Sequence, residues 1–431
     1  MKRIVLTLLF VLLATSAHAA PFRVAIFPFE GVGEEGLAEA LAEALAQGLR
    51  AVKSVKVIEP RVLLRPTGRR PLQGLTLEER IRLGRALKAR GLIDGAFKQG
   101  EGTLRLTVRF LDLKADKEIG KKEVAGQMAE LFALEEKLGS AFLQAFKLPS
   151  PPGETWRRAF KLPTPSLPAY FAYARGRWSL ATSSEEGYDS ALKSFQMALE
   201  LDENFALARY GLGLTFAGLG YHWRAAWEFT KAFQLDPQLA EAFKALGDVM
   251  ASTPRKLSQA MEAYQKAIEQ DSEYADAYVG LGDIKAAMGE LDAALALYER
   301  ALKADPDSAN VHYSLGRLYH HERGLYYEPI GEYQKAIALD PGLVEAYVAL
   351  GELYEEKGLH QEAVQAYEGA IAIESQNPTA LYALAQALEK LDQKKAIAAW
   401  ERYIQLASSL PSEKEWVEIA KHHLKKLEET R

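Results

Sequence analysis

One glycine-rich segment has the spacing of a phosphate cradle. Gly31-Val32-Gly33-Glu34-Glu35-Gly36 fits G-x-G-x-x-G, follows the apolar run Arg23–Phe27 and precedes a helical pattern from Leu37. Glycines so placed let a backbone approach a pyrophosphate at a helix N-terminus, with an acidic residue about 20 positions on, here Glu59, for a ribose. Three features oppose that chemistry. Phe27-Pro28-Phe29-Glu30 separates the run from the first glycine, Glu34 and Glu35 would repel a phosphate, and no second βαβ unit follows. The segment reads as a turn before a helix. The paired histidines, His320-His321 and His422-His423, are adjacent, so on a helix they diverge by about 100° and cannot share a metal. No H-E-x-x-H, G-x-S-x-G or P-loop pattern occurs, and the chain has no cysteine. No catalytic, cofactor-binding or metal-ligating residue is assigned, and the chain reads as non-enzymatic.

The residue types that do recur point to recognition instead. Gly213, Gly247, Gly282, Gly316 and Gly351 each follow a leucine at intervals of 34 or 35, and Ala385 follows Leu384 in the same register. A second series runs Phe229, Tyr264, Tyr298, Tyr333, Tyr367 and Trp400, flanked by Ala225, Ala260, Ala294, Ala363 and Ala396 four residues before and by Ala232, Ala267, Ala301, Ala336 and Ala370 three after. Pro237, Pro306 and Pro341 close three of the units. This resembles the tetratricopeptide (TPR) repeat, two antiparallel helices per 34 residues. Small residues let the helices approach, and the aromatic fills the gap between units. A degenerate first unit carries Gly176, Ala191, Phe195 and Ala198, making about seven units over residues 168–407. Pro329 replaces the small residue of the fifth unit, which predicts a late start or a kink in its second helix, and replacing it with alanine is expected to stabilise that helix. Residues 408–431 form a capping helix, with Trp416, Ile419, His423 and Leu427 near one face.

Residues 20–149 differ in type. Strands are expected at Arg23–Phe27, Val55–Ile58, Gly91–Phe97, Leu104–Phe110 and up to Val124. Helices are expected at Leu37–Leu49, from the capping box Thr76/Glu79 to about Ala89, and at Met128–Phe146. The order βαβαβββα predicts an α/β domain with a mixed sheet. Ile26-Phe27-Pro28-Phe29, Leu92-Ile93-Asp94-Gly95 and the hairpin Leu104–Asp112 resemble the TolB amino-terminal-like domain, which implies protein contact at an envelope rather than catalysis. Arg61, Arg65, Arg69 and Arg70 form a basic run that reads as a solvated loop. Pro149-Ser150-Pro151-Pro152-Gly153 opens a linker over 150–167.

Ahead of this domain, Lys2 and Arg3, the apolar run Ile4–Leu13 and the small residues of Ala17-His18-Ala19 read as a signal peptide, residues 1–19, cut after Ala19. Those ten residues, apolar except for Thr7, fall short of the roughly 20 a membrane-spanning helix needs. The expected location is periplasmic or secreted. Charge divides the chain as well: residues 20–149 carry 22 Lys and Arg against 17 Asp and Glu, whereas residues 150–431 carry 29 against 41.

In TPR arrays the first helix of each unit lines a concave groove. Counting from each glycine, the lining positions are Leu207, Tyr210, Leu214 and Ala217; Glu241, Lys244, Asp248 and Ala251; Asp276, Val279, Asp283 and Ala286; Asn310, Tyr313, Arg317 and His320; and Glu345, Val348, Glu352 and Glu355. One end is aromatic and apolar, the rest acidic. The Lys/Asn clamp for a terminal carboxylate is missing, Lys244 being its nearest echo. The expected partner is a Lys/Arg-rich protein segment with an apolar anchor at Tyr210 and Leu214, and neither nucleic acid nor a transmembrane segment of the mature chain is implied. The function expected is an exported protein–protein interaction scaffold whose α/β domain docks to an envelope component. The alternatives are a ligand or nucleotide sensor through Gly31–Gly36 and an accessory subunit of an envelope biogenesis enzyme.

Overall fold

The computed structural model describes residues 21–64, 67, 72, 74–321 and 329–429. The expected signal peptide and its cleavage site lie outside the described residues, as do Arg65, Arg69 and Arg70 and the turn before Pro329.

The amino-terminal half is a five-stranded mixed sheet: β1 Phe22–Ile26, β2 Val55–Val57, β3 Gly91–Gly100, β4 Thr103–Asp112 and β5 Lys117–Gln127, in the order β2-β1-β3-β4-β5. β1 pairs in parallel with β2 and β3, and β3, β4 and β5 form an antiparallel meander. Helices α1 (Leu37–Arg50) and α4 (Leu131–Ala145) cover one face, where the rings of Phe22 and Phe110 meet Phe142 edge-on at 5.9 and 5.7 Å. Alternation along β3 sends Asp94 to the other face. There the buried Arg80 of α3 (Leu77–Ala86) donates to it at 2.8 Å. α3 starts as its capping box requires, Glu79 N donating to Thr76 Oγ1 at 3.3 Å and Thr76 N to Glu79 Oε2 at 2.8 Å. A short helix not expected from the sequence, α2 (Pro60–Leu64), begins at Pro60, and a first-turn proline costs no hydrogen bond.

The stretch 150–167 is not a bare tether. It holds α5 (Gly153–Ala159), and the buried rings of Trp156 and Phe160 close on it. Phe160 packs where α1 and α4 carry Gly48 and Gly139. A Cβ at either would stand within 3 Å of its ring. Trp156 Nε1 donates to Ser140 Oγ at 3.1 Å.

Seven helix pairs follow among the described residues: α6/α7 (Leu167–Ala181, Glu185–Leu201), α8/α9 (Ala206–Gly218, His222–Leu235), α10/α11 (Ala240–Ala251, Leu257–Gln270), α12/α13 (Ala275–Ala287, Leu291–Ala304), α14/α15 (Ala309–His321, Pro329–Leu339), α16/α17 (Val344–Glu356, His360–Ile373) and α18/α19 (Pro378–Glu389, Gln393–Ala407). The packing is that of the repeat pattern. A Cβ on Gly213, Gly247, Gly282, Gly316 or Gly351 would stand 2.4–2.6 Å from the ring of Phe229, Tyr264, Tyr298, Tyr333 or Tyr367 in its own unit. Gly211 and Gly280 press equally close on Phe195 and Tyr264 of the unit before. Phe195 and Tyr264 are thus clamped between two first helices. The described part of α15 opens on Pro329, and the residues that would show an earlier or kinked start lie outside the described residues. The last helix, α20 (Lys414–Glu429), caps the array, but its buried stripe centres on Val417 and Ala420. Of the residues expected on that face, His423 and Leu427 pack on the array, whereas Trp416 and Ile419 stay half exposed.

The two halves are joined well beyond the connecting segment. Gly36, at φ 86°, sits on the main chain of Phe171 in α6, and the rings of Phe132 and Tyr170 pack edge-on at 5.0 Å. Arg23 of β1 donates to Leu339 O, the C-terminal carbonyl of α15, at 2.9 Å, and to Asp340 at 3.1 Å. Lys53 meets Glu273 at 3.2 Å. The α/β domain therefore lies along the edge made by the turns between units. Among the described residues no helix is long and apolar enough to cross a membrane.

Candidate functional site

Three successive first helices, α10, α12 and α14, bring their groove positions around one cleft of about 440 Å³. Lys244 and Asp248, Asp276, Val279 and Asp283, and Asn310 and Tyr313 line it. The repeat register places them there, since residues at −6, −3 and +1 from the glycine fall on one side of a helix. Tyr210, Leu214 and Ala217 line a different cleft, about 520 Å³, whose opposite wall is Glu59, Pro60 and Arg61 of the α/β domain. The predicted groove is thus divided in two. Glu241 on α10, Arg317 on α14 and Glu345 and Glu352 on α16 line neither cleft and stand exposed. The Arg317 guanidinium lies 5.8 Å over the Tyr313 ring. Burial raises the pKa of the Tyr313 hydroxyl; Arg317 opposes this, and Glu345, Glu352 and Asp283 add to it.

The carboxylates are not equivalent. Asp248 accepts from Tyr264 Oη and from Lys244 Nζ, both at 2.8 Å, and Asp283 accepts from Tyr298 Oη at 2.7 Å. Asp276 accepts from Asn310 Nδ2 at 3.0 Å. Asp248 and Asp283 therefore satisfy core tyrosines as well as facing the groove, a double duty the sequence reading missed. Its signal was present: the carboxylate one residue after the glycine occurs where the core ring carries a hydroxyl. Burial disfavours the charge on Lys244, but Asp248, Asp276 and Asp283 outweigh it and raise its pKa, so the cleft holds one cation among three carboxylates.

The boundary between the halves holds a charge network that the sequence did not announce. Arg50 binds Glu43 and Glu59 at 3.1 and 3.0 Å, and Arg177, one residue after Gly176, reaches Glu59 at 3.0 Å and Glu43 at 3.6 Å. Burial raises the pKa of Glu59, yet Arg50 and Arg177 together hold it below the ordinary carboxylate range.

The Gly31–Gly36 segment is occupied by the protein itself. A Cβ at Gly31 or Gly33 would collide with Phe97 O or Gln99 Oε1. Glu34 N donates to Gln99 Oε1 at 2.8 Å, and Glu35 pairs with Arg175. The glycines admit the protein's own strand and side chains, and this geometry lends the sensor reading no phosphate cradle. Among the described residues no group of three or more His, Asp or Glu could hold a metal ion.

Sequence models described as TPR repeat match residues 256–289 and 282–322, and models described as tetratricopeptide repeat match 332–365 and 379–408. The carboxy-terminal half carries TPR repeats. Over 233 residues the chain is 28% identical to superkiller complex protein 3 of Homo sapiens, a match covering 51% of this chain and 15% of that protein. It is 26% identical over 181 residues to the Mus musculus protein, covering 41% and 12%. To anaphase-promoting complex subunit 3 of Schizosaccharomyces pombe it is 25% identical over 149 residues, covering 35% and 22%. The chain spans less than a quarter of each of these relatives. Among solved structures, yeast Tom70 is similar at 19% identity and TM-score 0.49, over 69% of this chain and 60% of that one.

Proposed function

We propose that this chain is a non-enzymatic protein–protein interaction scaffold whose repeat groove holds a basic segment of a partner. The observation that carries the reading is the convergence of Asp248, Asp276 and Asp283 from two successive units on one open cleft, with Glu241, Glu345 and Glu352 exposed on first helices of the array. Such a surface steers cationic segments from a distance, and the steering weakens with salt. The repeats themselves support a protein partner, and the relatives' names, subunits of the superkiller and anaphase-promoting complexes, agree with a role in assemblies.

The test is association kinetics with a lysine-rich peptide across rising salt, wild type beside a Glu241→Lys, Asp276→Lys double variant. These two acids are chosen because neither is bonded to a core tyrosine. The association rate is expected to fall several-fold and lose its salt dependence while the melting temperature holds. A rate that ignores both salt and the reversal would reduce the acidic stripe to a solubility feature.

We further propose export and docking of the α/β domain to an envelope component. The leader pattern in residues 1–19 and the TolB-like motifs support this. Protein recovered from the envelope should begin at Ala20, and recovery with Met1 intact would overturn it.

A further inference from the structure

The cleft between the α/β domain and the first two repeat units differs in chemistry from the acidic one beside it. Four rings face it, Tyr173, Tyr188, Phe195 and Tyr210, with Leu214 and Ala217 completing the apolar wall. Two glycines keep the ring faces close. A Cβ on Gly211 would stand 2.4 Å from the Phe195 ring, and one on Gly218 would stand 2.5 Å from Tyr188. The opposite wall ends in Glu59, whose side chain remains 46% exposed although Arg50 and Arg177 hold it.

We propose that this interdomain cleft is an anchor pocket that takes one tryptophan or tyrosine side chain of the partner, so that the α/β domain forms part of the recognition site. The inference rests on the reading of the neighbouring groove as the seat of a basic segment. Three observations carry it. First, the volume, about 520 Å³, lies in the range of ligand pockets, and its walls are rings and aliphatic carbon. Aromatic pairs at offset or edge-on geometry gain beyond their buried area. Second, Glu59 is the one acidic residue that lines the cleft. Glu59 Oε2 accepts from both Arg50 and Arg177, whereas Oε1 accepts from Arg50 alone and retains an acceptor site, suited to an indole N–H or a phenol O–H. A phenylalanine would leave it unused. Third, the pocket adjoins the acidic groove: Tyr210 and Leu214 of α8 pack with Ala245 and Val249 of α10, the helix that carries Lys244 and Asp248. Burial raises the pKa of the Tyr210 hydroxyl, and Glu241 and Asp248 add to that from the groove side while Arg177 opposes it from the pocket side. One extended segment can therefore place a ring here and its lysines or arginines beyond Tyr210.

The experiment is calorimetric titration of the full chain with short acetylated peptides in which one variable residue precedes three lysines. Tryptophan and tyrosine peptides should bind about tenfold or more tighter than the alanine peptide, with phenylalanine between. Replacing the lysines of the tryptophan peptide with glutamates should abolish binding. An Ala217→Trp variant fills the pocket without touching the groove charges. It should bring the tryptophan peptide down to the affinity of the alanine peptide while the salt dependence survives. The peptide series on the unaltered chain stands even if that variant folds poorly. Equal affinity of tryptophan and alanine peptides overturns the anchor and leaves the acidic groove intact. Failure of every lysine peptide to bind overturns the groove reading, and the anchor falls with it.

Discussion

The first two repeat units and the five that follow solve one packing problem with different core rings, and the groove records the choice. In units one and two the ring is Phe195 or Phe229, which has no donor. The positions one and four residues after the small residue are then Arg177 and Leu180, and Leu214 and Ala217, and they wall the interdomain cleft. From unit three on the ring carries a donor, and an acceptor stands at one of the same two positions. Asp248 and Asp283 bind Tyr264 and Tyr298 from the first position. From the second, His320 Nδ1 lies 3.4 Å from Tyr333 Oη, Glu355 accepts from Tyr367 at 3.4 Å, and Glu389 accepts from Trp400 Nε1 at 2.8 Å. A buried donor needs a partner, so a hydroxyl in the core draws a polar group onto the groove wall. Core chemistry thereby sets part of the surface chemistry, and the apolar pocket opens where the core ring ends in carbon.

One tyrosine departs from this pairing, and the largest expected effect lies beside it. Tyr170 of α6 is buried against α4, and among the described residues its hydroxyl has no hydrogen-bond partner. Neither do the carboxyl oxygens of Glu135, which is fully buried. Burial pushes the Glu135 carboxyl well above its usual 4.5. The sign follows from linkage. A carboxyl that holds its proton more tightly when folded favours the folded state most below the unfolded pKa, and that advantage is lost as pH rises toward the folded value. Glu135→Met removes the group. Its gain over wild type should be smallest at pH 4 and should grow above about 4.5, with a limiting slope of about 1.4 kcal/mol per pH unit. Urea unfolding across pH measures it, and a gain independent of pH would show that Glu135 ionises freely in place.

Next in size is the cost of taking a carboxylate from a core tyrosine. Asp283→Lys strands Tyr298 Oη and should destabilise by about 2 kcal/mol. Asp276→Lys, which gives up only the bond from Asn310, should stay within about 0.5 kcal/mol. Replacing both partners, Tyr298→Phe with Asp283→Leu, should recover most of the loss, because no donor is left unpaired. Denaturant midpoints decide it. Equal stability of the two lysine variants would mean that the groove acids are interchangeable and that the ring exerts no claim on Asp283.

The repeats were readable because each residue type answers a local demand that recurs. A leucine–glycine pair and an aromatic with its flanking alanines fix the helix pair, its register and the side that faces the groove. The same held for the α3 start, since Thr76 and Glu79 are three residues apart and settle the cap between themselves. What escaped the sequence was set by distant contacts. Arg23 meets Asp340 across 317 residues, and nothing near either announces the other. α5 was read as linker because proline and glycine dominate its beginning, while its cause, two rings filling the spaces at Gly48 and Gly139, lies on helices far away in sequence. The sequence treats the groove as one continuous surface. The register gave the side on which Tyr210 and Asp248 stand, and only the docked α/β domain separates the pocket of the first from the cleft of the second.

The smallest effect is the most direct probe of the rule that links ring to groove. Phe229→Tyr adds one hydroxyl to the core of unit two, where positions 214 and 217 hold leucine and alanine. The added oxygen should cost about 1 kcal/mol, the penalty of a buried donor without an acceptor. Leu214→Asp alone should also cost stability, since it sets a carboxylate in an apolar wall. Together the two changes rebuild the arrangement of Tyr264 with Asp248 and of Tyr298 with Asp283, so the double variant should be more stable than the sum of the singles predicts. A double-mutant cycle on melting temperature and denaturant midpoint reads this coupling directly. Positive coupling establishes that the ring donor recruits the acid. Additive losses would mean that the pairing in units three and four depends on more than the two residues, and that the pocket of units one and two is apolar for a reason other than its phenylalanines.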